Sequence, residues 1–242
     1  MTAPSRTDRY GFRLRGGENT RIEAFTDAAF AFAVTLLVIG GSHAPTNVQE
    51  LLDALAGVPA YAASFALLCL FWYSHYIWYL RYGMEDGRSV LLSLVLVFLI
   101  LIYVYPLHML FAAAFASSSS GLLPGHVAAS TQHDVTLMFV IYGIAYAALS
   151  GIILLFHVHA WRSRERLDLD SAEQLITRSL LLRWTLNVAI GLLSAAVALA
   201  MPRGTSAATY SLPGLVYFLL AITGPLLGRR LRRQLASLRT AA

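Results

Sequence analysis

From Val90 to Ala116 the chain runs without a single charged side chain. That run exceeds the roughly 20 apolar residues needed to cross a bilayer as a helix. Several other runs approach or exceed the same length. Hydrocarbon offers no partner to a backbone amide, so such segments must satisfy their hydrogen bonds internally, as helices. An all-α membrane protein is therefore expected. Composition agrees, with 57% of the 242 residues hydrophobic and only 13% charged, against about a quarter in a soluble domain.

Six spans are expected, at about 19–40, 59–82, 88–116, 135–161, 179–201 and 212–227. A brief outer-surface helix at 48–55, capped by Thr46 or Asn47, follows the first span. Pro106 falls late in the third span and predicts a kink there. Arginine placement sets the topology. Arg6, Arg9, Arg13 and Arg15 precede the first span, and Arg81 and Arg88 flank the turn after the second. Arg162, Arg164, Arg166 and Arg178 lie between the fourth and fifth, and Arg229, Arg230, Arg232, Arg233 and Arg239 follow the sixth. The opposite loops hold only Arg203. Basic loops stay on the cytoplasmic side, so both termini are placed there. The net charge of +5 is thus an orientation signal rather than a nucleic-acid footprint.

The chain divides into a cytoplasmic tail at 1–18, a six-helix transmembrane domain at 19–228 and a basic cytoplasmic tail at 229–242. The first tail is expected to be mobile, with a short ordered piece near Tyr10 to Leu14. The connector at 162–178 is expected to be solvated, and 117–134 to be a Ser/Gly/His-rich outer loop. Gly40-Gly41-Ser42 resembles a leader-cleavage site, but Glu23 and Asp27 make the preceding segment a poor leader core. The lone Cys69 excludes an intrachain disulfide and reads as a small buried hydrophobe. His108, His126, His133, His157 and His159 are scattered, and no metal site, nucleophile motif or phosphate loop is expected.

The first span carries an expensive residue. Asp27 lies about 9 Å deeper than Arg21 at 1.5 Å per residue, and a carboxylate at such depth marks function or a buried partner. His75 on the second span falls at similar depth, and Trp72 nearly one turn deeper, with an indole N–H to donate. Asp27, Trp72 and His75 read either as a structural clasp between two spans or as a proton relay or ion site. Arg21 and Asp27 are six apart and face opposite sides, so their pairing would require a neighbouring helix or subunit. Ala28, Phe32, Thr35 and Ile39 form one stripe. In one copy the stripe meets lipid or another helix. Around an axis of several copies it could line a pore, with Phe32 as an apolar constriction and Thr35 as a ring of hydroxyls.

Arg21, Phe25, Thr26 and Asp27 match the R-x-x-x-F-S-D motif of the lysosomal and bacterial potassium channels known as transmembrane protein 175, with Thr in place of Ser. The continuation AxFAVTLLVI, Ser64-Phe65 and Phe71-Trp72-x-x-His75 resemble the same family, and Tyr105-Pro106 is a weaker echo. The resemblance implies a homotetrameric, potassium-selective channel of the bacterial plasma membrane, surrounded by lipid. Its pore would be lined by the first span and would lack a backbone-carbonyl filter. It implies no enzyme activity, no cofactor, and no ion beyond permeating potassium. The family's Ile or Leu bottleneck falls at Phe32, a departure that could narrow or close the pore. The family's pore threonine falls at Thr35, and Ala28 follows the motif Asp. The alternative is a proton-coupled secondary transporter using Asp27 and His75 as titrating groups.

Overall fold

The structure, a computed structural model, describes residues 6–17, 20–39, 46–118, 132–202 and 212–241. Its helices are α1 (Arg21–Ile39), α2 (Val48–Ala56), α3 (Val58–Tyr82), α4 (Gly87–Ser118), α5 (Gln132–Arg162), α6 (Ser171–Ala200), α7 (Leu212–Leu215) and α8 (Phe218–Ala241). Among the described residues, five segments are long and apolar enough to cross a membrane: α3, α4, α5, α6 and the stretch 212–238 spanning α7 and α8. Gly40 to Ser42, most of the outer loop, and Arg203 lie outside the described residues.

The bundle is built on α5 and α6. At their crossing an added Cβ on Gly143 would stand 2.7 Å from the Gly191 carbonyl oxygen, and one on Gly191 would stand 2.9 Å from that of Gly143. Only glycine permits two helix backbones to approach so closely. Around this seam α4 packs on α5, and α1 on α4 and α3. The core is aromatic-rich: Phe71 packs against Tyr146 and Trp184, while Trp78 packs against Phe156 and donates its indole N–H to the Phe156 carbonyl.

Three elements depart from the sequence expectation. Helix α6 begins at Ser171, not near 179, because Asp170 and Glu173 form a capping box that starts it inside the polar connector. The sixth expected span is interrupted at Val216–Tyr217, and α8 continues past Leu227 to Ala241. Beyond Gly228 there is no Gly or Pro, and Arg, Leu, Gln and Ala all favour helix, so 229–241 is helix rather than an irregular tail. Finally, residues 6–17 form a strap folded on the bundle, longer than the short ordered piece expected. Arg15 and Gly16 donate their amides to the Leu80 carbonyl, and Phe12 is fully buried under the Arg15 and Arg81 guanidiniums.

The strap fits because α3 ends on Gly83 in the left-handed conformation (φ 56°). A Cβ there would lie 2.9 Å from the Arg15 backbone. One glycine thus both terminates the helix and makes room for the strap.

Candidate functional site

Helix α1 is started by Thr20 and Glu23. The Glu23 amide donates to Thr20 Oγ1 and the Thr20 amide to Glu23 Oε2, both at 3.3 Å. This reciprocal cap explains a nearly buried Glu23 at the helix entrance. It was readable as T-x-x-E but not among the expected site residues. One turn on, buried Thr26 donates its hydroxyl to the Ile22 carbonyl at 2.8 Å, satisfying itself within the helix.

Asp27 accepts a hydrogen bond from Trp72 Nε1 at 2.8 Å. This joins α1 to α3 through the residue expected nearly one turn deeper than Asp27. His75 turns elsewhere: its Nε2 lies 3.0 Å from Ser93 Oγ on α4, and its ring packs against Phe156 and Trp78. The direct Asp27–His75 pairing that a proton-coupled carrier would use is therefore not formed. Being on adjacent turns of α3, Trp72 and His75 point toward different helices, and only Trp72 faces α1. Arg21 is exposed and meets no carboxylate among the described residues.

Helix α1 has two apolar faces. Thr26, Phe30, Ala33 and Leu37 are buried against the bundle. Phe25, Ala28, Phe32 and Thr35 are exposed, with Phe32 at 56%. The side chain of Ile39, expected on the same stripe, lies outside the described residues. Thr35 donates its hydroxyl to the Ala31 carbonyl at 3.1 Å, which spends the hydroxyl hydrogen on the helix and leaves the oxygen lone pairs outward. Beside this face a cleft of about 290 Å³ opens between α1 and α3, lined by Asp27, Phe30, Ala31, Val34, Leu68, Cys69 and Trp72.

The polar end of the bundle is bound by ion pairs that sequence spacing could not reveal. Arg13 and Arg15 converge on Glu173, whose side chain has no exposed surface, with Arg13 at 2.8 Å and Arg15 at 2.7 Å from Oε2. The Arg13 amide also donates to Oε1 at 2.9 Å. Arg81 pairs with Asp8 at 2.7 Å. His159 Nε2 lies 2.8 Å from Asp86 Oδ2, and Arg166 reaches the same oxygen at 3.2 Å. His157 instead bonds the Ile153 carbonyl through Nδ1, so the two histidines serve separate contacts.

Burial pushes the Asp86 carboxyl up, but the Ser89 amide and hydroxyl, His159 and Arg166 together hold it well below the usual carboxylate range. A depressed folded value adds stability above the unfolded carboxylate value and loses it as pH falls through the folded one. The thermal midpoint of the purified protein is therefore expected to fall on acidification below about pH 4. Asp86→Asn is expected to flatten that limb. Identical acid profiles for the two proteins would contradict the assignment.

Three comparisons bear on what this arrangement does. Residues 21–106 match the family described as endosomal/lysosomal potassium channel TMEM175. A protein of Marivirga tractuosa named "Potassium channel" is 34% identical over 235 residues, covering 93% of this chain and 94% of that protein. A crystal structure of a variant of the potassium channel MtTMEM175, bound to a nanobody–MBP fusion, is 31% identical. It superposes with a TM-score of 0.79 over 94% of this chain and 99% of that one. A TMEM175 homologue from Chamaesiphon minutus, described as a lysosomal potassium-selective channel homologue, is 20% identical with a TM-score of 0.55, covering 87% of this chain and 96% of that one. At that identity the likeness speaks to fold alone.

Proposed function

The chain belongs to the endosomal/lysosomal potassium channel TMEM175 family, and on that premise we propose that it is a passive, potassium-selective channel assembled as a homotetramer around its α1 helices. The observation that carries this is likeness to a protein named as a potassium channel across 93% of the chain. In this proposal α1 crosses the membrane as well, making six spans with the other five, and the arginine-bearing polar end faces the cytoplasm of a bacterial cell. The 1–18 segment is the cytoplasmic tail, of which residues 6–17 form the strap, 19–228 is the membrane-embedded body, and 229–242 the basic extension.

The exposed Ala28, Phe32 and Thr35 face the axis. Four Phe32 rings form the narrowest, apolar point, which excludes water unless the helices part, and hydrophobic constrictions gate in this way. Ala28 leaves room below it. Thr35 presents an oxygen whose hydrogen is already committed to Ala31. Four such oxygens are placed to accept a partly dehydrated cation. The exposure of this stripe on a single subunit supports the arrangement, as does the clasp of Asp27 to Trp72, which fixes how α1 is rotated. The family motif residues Arg21, Phe25, Thr26, Asp27, Trp72 and His75 then hold α1 in place rather than touching the ion.

Thr35→Ala is expected to lower the potassium-over-sodium permeability ratio severalfold while leaving the assembly intact. Reversal potentials under mixed ions in planar bilayers measure this. An unchanged reversal potential would remove Thr35 from the filter.

A further inference from the structure

The second half of α8 is a feature the channel proposal does not use. Its first half, Phe218, Leu219, Ile222 and Leu226, is apolar and exposed, as expected of a helix facing acyl chains. Its second half carries Arg229, Arg230, Arg232 and Arg233, all exposed, and no acidic residue occurs anywhere in the helix. At about 100° per residue these four arginines fan over an arc of about 160°. Leu231 and Leu235 lie on the opposite side and pack against the core. The guanidiniums are therefore held outward by a pinned helix.

Their level is set by the fold. Ser194 on α6 donates to the Pro213 carbonyl at 2.8 Å, so α7 sits near the far end of α6 and α8 returns along α6 toward the polar end. Equal rise per residue brings Arg229–Arg233 beside the Gln174–Arg178 stretch of α6. Arg178 is exposed too. At this level Trp161 is flanked by Arg164 and Arg178, whose guanidiniums lie 5.1 and 4.8 Å from its ring. An indole among arginines marks the headgroup layer of a bilayer. The carboxylates of the α5–α6 connection are already engaged: Asp168 with Arg13, Glu165 with Arg164, Asp170 with the Glu173 amide. No ion pair engages the four α8 arginines among the described residues.

We propose that Arg229, Arg230, Arg232 and Arg233 of α8, with Arg178 level with them, form a docking surface for the phosphates of anionic lipid headgroups. The occupant is lipid because the helix leaves the acyl layer immediately before the arginines. A soluble polyanion would have to reach a surface whose outer neighbour is the bilayer itself. Juxtamembrane arginine clusters attract anionic leaflets in this way, and the attraction falls with salt.

The test uses the full chain reconstituted in nanodiscs of phosphatidylcholine with or without phosphatidylglycerol, with retained lipid counted by native mass spectrometry. The wild type is expected to retain phosphatidylglycerol severalfold over phosphatidylcholine, with the excess lost in high salt. The quadruple change of these arginines to glutamine is expected to abolish the excess, and the quadruple change to lysine to retain most of it. Salt dependence in the wild type decides the matter if the glutamine variant does not assemble. Equal retention of both lipids, salt-independent retention, or release of phosphatidylglycerol by millimolar inorganic phosphate or by RNA would overturn the proposal. Because lipid is counted rather than ion flux, a negative result here leaves the channel proposal untouched.

Discussion

Replacing Glu173 by alanine is expected to destroy the folded assembly more completely than any other single change at the polar end. The Glu173 carboxylate has no exposed surface and accepts from Arg13, Arg15 and the amides of Arg13 and Asp170. Removing it leaves the half-buried Arg13 and Arg15 guanidiniums without the buried carboxylate they share. Breaking a buried pair by deleting one partner costs about 3–5 kcal/mol, a factor of a hundred or more in the folded population. The consequence reaches α1, because the strap that Glu173 anchors leads directly into that helix. Thermal midpoints of the detergent-solubilised protein measure the loss. Asp168→Asn, at an exposed partner of Arg13, is the control and should shift the midpoint little. Neutralising Arg13 and Arg15 to glutamine together with Glu173 should recover part of the stability. A single Glu173→Ala protein as stable as the wild type would show that the strap bears no weight.

Widening the apolar ring is expected to raise current rather than to harm folding. Phe32 is 56% exposed in one subunit, so truncating it leaves no cavity in the subunit core. In the proposed tetramer, Phe32→Ala would remove four rings from the narrowest point and admit water there. A drop of only about 1.4 kcal/mol in the barrier is a tenfold rise in rate. Unitary conductance is therefore expected to rise about tenfold, with some loss of discrimination against sodium. Single-channel recording reads both. Unchanged conductance would place the constriction elsewhere.

How much of this was legible depends on the range of the interaction. Five of the six expected spans are plain in the sequence because an apolar run needs no partner to be recognised. The Asp27–Trp72 contact is legible from rough depth together with chemistry, since antiparallel helices bring residues at known offsets near one another and Trp72 has an N–H to donate. His75 was assigned the same neighbour by the same depth argument, but depth does not fix azimuth, and Ser93 on α4 claimed it. The sequence points to only a short ordered piece near Tyr10 to Leu14 and not to the whole strap, because Arg13 and Arg15 find Glu173 some 160 and 158 residues away and nothing local predicts such a pair. The early start of α6 has a different reason: Asp170-x-x-Glu173 fits a capping box, but the polar stretch after it carries no apolar run to mark a span. Likewise the arginines of α8 looked like a tail, although the absence of helix breakers after Gly228 pointed to continued helix.

The most direct measurement is thiol block of potassium current in a Cys69→Ala background, with single cysteines placed along α1. If identical α1 helices line an aqueous axis, a water-soluble cationic thiol reagent should block current through cysteines at positions 28, 32 and 35. It should leave current through cysteines at the buried positions 33 and 37 unchanged. Full current at all three stripe positions after exposure to the reagent, with those cysteines labelled from the lipid phase instead, would contradict a pore built on this helix.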